Sequence, residues 1–295
     1  MSLADDVRAS CARIAAGARC VRIDLDALAA LDPGPPPVLD AESHYLEGEP
    51  EDVATYLLAL DAINFGSGWF PTLRKRRGPD GTAVSGYFTV AWGLADRFRA
   101  LGPWTNAELR AMRTEEISDV LGQARDHELM ALFAQALRQL GAWLGARGAL
   151  DAIAEARGSA VRLAEMLAGG MAMFDDRGFY KRAQITGSDL ALAGVAHFQD
   201  IERLTIFADN LVPHVLRGDG ALRYDERLAA HIDAGRELRP GPQEREIRAC
   251  AVHACALLAA RTGMTERDID NALWTRGGRP EYKAIPRHRC RTIYY

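Results

Sequence analysis

Apolar residues recur at intervals of three and four along most of the chain, which is the spacing of one face of an α-helix. The stripes alternate with short breaks rich in glycine and proline, and no alternating strand–helix repeat is present. The pattern predicts an all-α, mostly helical protein that folds as a single compact domain over residues 1–295. Two of the clearest stripes are Val53, Tyr56, Leu57, Leu60 and Ile63, and Met130, Phe133, Leu137, Leu140 and Leu144.

Local signals mark where some of these helices begin. Glu49 and Pro50 open one helix, because a proline and acidic residues suit the first helical turn. Thr105 and Glu108 have the spacing of a capping box, in which each side chain binds a backbone N–H of the other residue. Apolar spacing alone locates the start of a helix only to within a few residues, and these signals indicate the residue at which it begins.

The first section of the chain is predicted to be helical over residues 1–31, including the stretch from Val21 to Leu31. Pro33–Pro37 then forms a stiff, extended connector. We therefore expect residues 1 to about 40 to be a helical extension packed on the rest of the domain. A further helix is predicted from Leu222 to Asp233.

Three ionisable residues interrupt apolar runs in the second half of the chain. Lys181 and Arg182 lie in one run, and Asp209 lies on a helix predicted from Ile201 to Leu211. A charged group on an apolar face is costly unless it is paired or used. Lys181 and Asp209 are therefore candidates for one shared site, and a structural ion pair or a helix end explains the same spacing equally well.

Composition narrows the classes of partner. The net charge of −4 and the pI of about 6.0 argue against an extended basic surface for nucleic acid, although a local pocket for one phosphate stays possible. We expect no signal peptide, because Asp5, Asp6 and Arg8 interrupt any apolar run at the start, and no apolar stretch has the length of a membrane span. The five cysteines are odd in number and form no CxxC pair. We expect a cytoplasmic monomer with free thiols and no stable nucleic-acid or membrane partner.

Several common catalytic motifs are absent from the sequence. It contains no HExxH, no GxxxxGK[ST] and no GxSxG, so no metal or cofactor is predicted. What remains is a carboxylate with a lysine, aromatics beside glycine-rich turns, and a basic, tyrosine-rich segment over residues 282–295. Aromatics can stack a planar heterocycle, cations can hold a phosphate, and a carboxylate can stabilise an oxocarbenium-like centre. The set suggests cleavage of an N-glycosidic bond in a nucleotide-like ligand, while the aromatics and the basic segment could also simply complete the core.

Several longer motifs resemble the queuosine salvage protein family, from about residue 40 to the end. The resemblance implies an all-helical fold akin to helix–hairpin–helix DNA glycosylases, and a hydrolase that releases queuine from queuosine 5′-phosphate and leaves ribose 5-phosphate. The motifs are Asn64-Phe65, Ser85-Gly86-Tyr87, Phe179-Tyr180-Lys181-Arg182-Ala183-Gln184-Ile185, Leu204-Thr205-Ile206-Phe207-Ala208-Asp209 with Pro213, Glu246-Ile247-Arg248-Ala249, Leu273-Trp274, Ile285-Pro286-x-His288-Arg289 and Thr292-Ile293-Tyr294-Tyr295.

The resemblance also implies roles for individual residues. Asp209 maps onto the family's carboxylate and faces C1′ of the sugar as an electrostatic stabiliser or nucleophile, and Lys181 keeps it ionised or reaches the sugar-phosphate. A 7-deazaguanine has carbon in place of N7, so protonation at that position cannot help the base to leave. Expected substrate-binding residues are His44, Asn64, Phe65, Trp69, Tyr87, Tyr180, Phe207, Asn210, Trp274, Lys283, Arg289, Tyr294 and Tyr295.

Two other functions stay open at this point. One is a non-catalytic module that binds modified tRNA or a nucleotide, against which the low pI counts. The other is a nucleosidase for a different purine-like nucleotide, and the Asp-rich calcium motif typical of many such enzymes is absent near the start of the chain.

Overall fold

Fifteen α-helices and two short β-strands are present in the computed structural model, which describes residues 2–36 and 39–295. Pro37, the last residue of the predicted connector, lies outside the described residues together with Met1 and Val38. The mostly helical structure confirms the predicted fold class. In chain order the elements are α1 (Leu3–Ala16), β1 (Val21–Ile23), α2 (Leu25–Ala30), α3 (Pro50–Ala62), α4 (Gly86–Leu101), α5 (Asn106–Ala111), α6 (Thr114–Leu121), α7 (Glu128–Leu144), α8 (Ala149–Ala154), α9 (Ala160–Gly170), α10 (Lys181–Leu192), α11 (Val212–Gly218), β2 (Leu222–Tyr224), α12 (Glu226–Asp233), α13 (Pro242–Thr262), α14 (Glu266–Arg276) and α15 (Pro280–Lys283).

Helix α3 lies at the centre of the core. Every residue from Val53 to Ala62 is buried, because α4, α7, α8 and α10 surround this helix. It begins as the sequence predicts, with Pro50 in its first turn. The predicted capping box at Thr105 is also present: its hydroxyl accepts the Glu108 N–H, and the Glu108 carboxylate accepts the Thr105 N–H.

The first helix, α1, packs along α13. Two further polar contacts join this part of the chain to α13 and α14: the Arg8 guanidinium donates to Glu266 of α14 at 2.5 Å, and the Glu246 carboxylate of α13 accepts the N–H of Cys20 at 2.7 Å. Residues near the start of the chain therefore belong to the same packed unit as the last third. None of the helices within residues 2–36 and 39–295 combines the length and apolar character that a bilayer crossing requires.

Two predicted helices are shorter than expected, because each begins with a strand instead. Val21–Ile23 forms β1 and Leu222–Tyr224 forms β2, with the helices α2 and α12 following each strand. The strands are antiparallel, with Val21 opposite Tyr224 and Ile23 opposite Leu222. Local spacing could not show this pairing, because the partner strand lies about two hundred residues away in the sequence.

The helix predicted from Ile201 to Leu211 is wrong, and this changes the setting of Asp209. Only Ile201–Arg203 is helical, as one 3₁₀ turn, and residues 204–209 form no regular secondary structure. The backbone N–H groups of Thr205 and Phe207 donate to the side chains of Gln184 and Asp270 instead of to carbonyls of a helix. Side-chain partners from two other helices thus replace the hydrogen bonds that a helix would have made.

Candidate active site

A cavity of about 730 Å³ lies where the ends of several elements meet. The contributing elements are the loop after α3, the starts of α4 and α11, one face of α10 along its whole length, the inner face of α14, and the segment after α15. Among the residues that the sequence predicted for the site, these line the cavity: His44, Asn64, Phe65, Tyr87, Lys181, Phe207, Asp209, Asn210, Trp274, Lys283 and Tyr295.

Lys181 is placed by an unusual turn in the backbone. The preceding residue, Tyr180, has φ 51° and ψ 40°, a left-handed conformation that costs a non-glycine residue about 1–2 kcal/mol. Helix α10 starts immediately afterwards, so that Lys181 is buried in the wall of the cavity and its Nζ donates to the Asn64 carbonyl at 3.1 Å. Burial lowers the pKa of Lys181, while the nearby carboxylates of Asp209 and Asp61 act against that shift.

Asp209 is held in a fixed orientation by the start of α11. One carboxylate oxygen, Oδ1, accepts the N–H of Leu211 at 2.7 Å and that of Val212 at 3.1 Å. These donors would otherwise lack partners at the helix start, and a carboxylate there is favoured by the helix dipole. The other oxygen has no hydrogen-bond partner within the described residues and belongs to a side chain that lines the cavity. A charged oxygen in this arrangement can stabilise or attack an electron-poor carbon.

Three further aspartates surround Lys181 and Asp209, and sequence reasoning missed all three. Asp189 and Asp270 line the cavity, and Asp61 is fully buried near Lys181. Asp61 and Asp189 stand in apolar helical runs, so the signal that singled out Asp209 could have found them.

The pKa values of these three carboxyl groups are raised, chiefly by burial. The pKa of Asp61 rises to about 7 although Lys181 opposes the shift, and no contact of its carboxyl group has hydrogen-bond geometry. The pKa of Asp270 is well above its ordinary value because of burial and the neighbouring Asp209, while the Phe207 N–H, donating to Oδ1 at 2.8 Å, acts in the opposite direction. Asp270 can therefore hold a proton next to Asp209.

Aromatic side chains form one end of the cavity. Tyr87 packs edge-on against Trp274 with ring centroids 5.4 Å apart, and Phe88 lies 5.3 Å from Tyr87 and 6.0 Å from Trp274. The Nδ1 atom of His44 lies 2.7 Å from the carbonyl oxygen of Asp40, which can only accept, so Nδ1 carries the proton. The Nε2 atom therefore accepts the Tyr87 hydroxyl at 2.9 Å. This end offers flat surfaces and fixed polar groups to a planar ring system.

The mouth of the cavity is basic. Lys283 and Arg287 both line it, and neither makes an ion pair or a side-chain hydrogen bond within the part of the chain that the structure describes. The surrounding protein lowers the pKa of the Arg287 guanidinium by removing part of its hydration, although the residue is exposed at the surface, and Asp209 acts against this shift. Lys75 lies nearby over the Phe70 ring, and burial together with Arg287 lowers its pKa to about 8. Cations without carboxylate partners suit an anionic group on a ligand.

The segment over residues 282–295 folds back onto the loop after α3. Gly66 and Ser67 donate their N–H groups to the backbone oxygen of Tyr295 at 2.9 and 3.3 Å. Gly66 has φ 98°, which favours glycine, and a Cβ on Gly68 would lie 2.5 Å from the Cys290 carbonyl oxygen. The segment therefore completes the core with its backbone and also supplies Lys283 and Arg287 to the cavity.

Four residues expected to bind substrate do not line the cavity. Trp69 donates its indole N–H to Glu128 at 2.7 Å, and Arg289 donates to the carbonyl oxygen of Gly235. Tyr180 provides the left-handed turn before α10, and Tyr294 is not among the residues that line the cavity. The cavity lining therefore does not support a substrate-binding role for these four residues.

The fold and the cavity together define a class: a mostly helical protein with a fixed carboxylate and a buried lysine in a pocket of nucleotide size. The chain belongs to the queuosine salvage protein family, whose model matches residues 43–295. It is 34% identical to a protein of Sphaerobacter thermophilus named queuosine 5′-phosphate N-glycosylase/hydrolase, over 96% of this chain and 95% of that protein.

Two eukaryotic proteins with the same name are similar over a shorter region. The mouse (Mus musculus) protein is 37% identical and the Dictyostelium discoideum protein 38% identical, each over 40% of this chain and 40% of its own length. These comparisons confirm the predicted family. The predicted likeness to helix–hairpin–helix DNA glycosylases stays a prediction.

Proposed function

We propose that this protein is an N-glycosidase that hydrolyses queuosine 5′-phosphate to queuine and ribose 5-phosphate. The observation that carries this function is the carboxylate of Asp209, which is fixed by α11 with one oxygen left open in the cavity. The name shared by the relatives supports the same reaction. A metal-free carboxylate at this position suits a sugar carbon that gains positive charge in the transition state.

The two ends of the cavity match the two ends of such a nucleotide. In the proposed complex the base lies against Tyr87 and Trp274, and the 5′-phosphate lies at the mouth near Lys283 and Arg287. The sugar then lies between them, beside Asp209. This arrangement separates the anionic phosphate from the acidic interior, where it would be repelled.

The chemical step follows from the substrate and the carboxylates. The C1′–N9 bond breaks with its electron pair going to the base, and Asp209 stabilises the developing positive charge at C1′ or bonds to it transiently. Water then adds to C1′ and gives up one proton, and the departing base takes up one proton. Carbon in place of N7 removes the usual site of protonation, so the charge at the sugar carries more of the barrier. Asp270, whose pKa is raised by burial and by Asp209, is suited to hold a proton close to the reacting groups.

The direct test is to incubate the purified protein with queuosine 5′-phosphate and to follow free queuine and ribose 5-phosphate by mass spectrometry. We expect both products in equal amounts, and slower release of base from the unphosphorylated nucleoside, because the cations at the mouth then have no anion to bind. A correctly folded protein that binds the nucleotide without releasing base would overturn the proposal and favour a non-catalytic binding module.

A further inference from the structure

Asp189 is a buried carboxyl group that the proposed reaction does not use. It lines the cavity with only 7% of its surface exposed, and no hydrogen bond or ion pair reaches its side chain from any described residue. Its oxygens are not enclosed by protein, in contrast to those of Asp61. Two other buried carboxylates have protein partners: Asp176 binds Arg248 at 2.5 Å, and Asp270 accepts the Phe207 N–H. A polar group this deep without a partner is unusual and indicates that its partner is a ligand.

The position of Asp189 along α10 separates it from the reacting centre. Lys181, Ile185 and Asp189 are spaced by four residues, so they lie on one face of the helix, and all three line the cavity. Eight residues of helix advance about 12 Å, so the backbone of Asp189 lies well beyond that of Lys181. Asp189 is also among the charges that act on Tyr87, in the aromatic wall. Asp189 also acts on Lys181, so it lies on the wall between that lysine and the aromatic end, where the proposed complex places the base.

The charge balance of the interior favours a cationic partner. Four aspartates, Asp61, Asp189, Asp209 and Asp270, are grouped around Lys181, and the arginines that also act on Asp61 and Asp189, Arg182 and Arg267, form no ion pair with them. Burial, followed by the neighbouring Asp61, raises the pKa of Asp189 well above its ordinary value, which avoids an isolated buried charge in the empty cavity. A neutral N–H donor on the edge of a base adds no positive charge to this group of aspartates. A cationic group on the ligand would balance one of their negative charges.

We propose that Asp189 binds the secondary ammonium group on the aminomethyl side chain of the 7-deazaguanine base, and that it thereby selects nucleotides whose base carries a cationic amine. This inference rests on the proposed function, and it assigns a specificity to one residue of that site. The ligand class is a zwitterionic nucleotide, with the ammonium in the acidic interior and the phosphate at the basic mouth. A guanine nucleotide has the phosphate but lacks the ammonium.

The test compares two substrates with wild-type protein and with Asp189→Asn. The substrates are queuosine 5′-phosphate and 7-deazaguanosine 5′-phosphate, which share the sugar, phosphate and ring system and differ in the amine side chain. We expect Asp189→Asn to lower kcat/KM for queuosine 5′-phosphate by about 10- to 100-fold, the usual range for a lost hydrogen bond to a charged group. For 7-deazaguanosine 5′-phosphate we expect a change of less than about 3-fold, so that the preference between the substrates is lost.

Two more variants keep this test specific. Asp189→Glu should retain part of the preference, because it keeps the carboxylate. Asp80→Asn is the matched control, because Asp80 stands at the rim of the same cavity but its carboxylate already accepts the backbone N–H and the hydroxyl of Thr82. We expect Asp80→Asn to leave the ratio of the two kcat/KM values unchanged. Circular dichroism confirms that each variant is folded, and binding of free queuine to each variant by calorimetry provides a readout that does not need turnover.

The outcomes separate the inference from the function on which it rests. If wild-type protein releases no base from either substrate, the proposed function fails. If wild-type protein releases queuine and Asp189→Asn loses activity equally on both substrates, Asp189 contacts the common ring system or supports Lys181, and the inference is overturned. An unchanged preference in Asp189→Asn overturns it as well.

Discussion

Lys181 and Arg182 are neighbours in sequence and both are buried, yet their surroundings differ completely. The guanidinium of Arg182 donates to the carbonyl oxygens of Ala62, Met173 and Ile293 and lies between the rings of Phe65 and Phe174, at 4.7 and 4.6 Å from their centroids. The ammonium of Lys181 donates to one carbonyl oxygen and stands among carboxylates that line or adjoin a cavity.

The difference separates charges that hold the fold from charges that are available to a ligand. Arg248 resembles Arg182: it binds Asp176 and Glu244 and donates to the Ala208 carbonyl, so its partners all come from the protein. Asp189 and the second oxygen of Asp209 resemble Lys181, because their surroundings leave bonding capacity unused. Buried polar groups without partners lower the stability of the folded protein, and a ligand that binds to them raises it.

The largest effect is expected at Asp209. Asp209→Asn removes the negative charge but keeps an oxygen that can accept the N–H groups of Leu211 and Val212, so the start of α11 should be preserved. We expect release of queuine to fall by about 10³-fold or more while the melting temperature changes by only a few degrees. Mass spectrometry of free base and a thermal melt measure the two effects, and near-normal turnover would remove Asp209 from the reaction.

The fold-holding charges should behave in the opposite way. Asp176→Asn breaks the buried pair with Arg248, and we expect the free energy of unfolding to fall by about 3–5 kcal/mol. The neighbouring residue provides the control, since Asp175 pairs with Arg177, whose side chain is 84% exposed. Asp175→Asn should change the free energy by less than about 1 kcal/mol in the same urea titration. Similar losses in both variants would contradict the distinction drawn for the buried pair.

The pH dependence of stability tests the unpartnered carboxyl of Asp61. Burial raises its pKa to about 7 from a value of 3.8, so the folded state binds this proton more tightly than the unfolded state. The contribution of this carboxyl group to the free energy of unfolding is therefore greatest at low pH, and it is lost as the pH rises from about 4 to about 7. The Asn side chain of Asp61→Asn cannot titrate. The free energy of unfolding of this variant, relative to that of wild type, should therefore rise by on the order of 3–4 kcal/mol between pH 4 and pH 8. Urea unfolding of both proteins at the two pH values measures this difference. If the free energies of unfolding of the two proteins change equally with pH, the raised pKa of Asp61 is refuted.

A smaller effect is expected at the mouth of the cavity. There Arg287 is a charge available to a ligand, and Arg289 is a charge bound by the protein. Arg287 lines the cavity without an ion-pair partner among residues 2–36 and 39–295, whereas Arg289 donates to the Gly235 carbonyl. Arg287→Met should lower kcat/KM for queuosine 5′-phosphate by about 10-fold and leave the rate with the unphosphorylated nucleoside nearly unchanged. Arg289→Met should alter neither rate by more than about 3-fold. Equal losses on both substrates would show that Arg287 does not read the phosphate.

Much of this protein could be predicted from its sequence, because the relevant signals are local. The apolar stripes located α3 and α7, and the proline at residue 50 located the start of α3. A charge in an apolar run pointed to Lys181 and Asp209, and the longer motifs around them pointed to the family that the comparisons confirm. Each of these signals depends on residues within a few positions of one another.

The tertiary structure decided how those residues are used. Asp209 lies in a non-helical segment because Gln184 and Asp270, from α10 and α14, take the hydrogen bonds that a helix would need. Whether a buried charge is saturated, like Arg182, or open, like Lys181, depends on carbonyl oxygens more than one hundred residues away. Periodicity along a chain determines which faces are buried, but only long-range packing determines which polar groups meet there, and the cavity is made from the groups that packing left without partners.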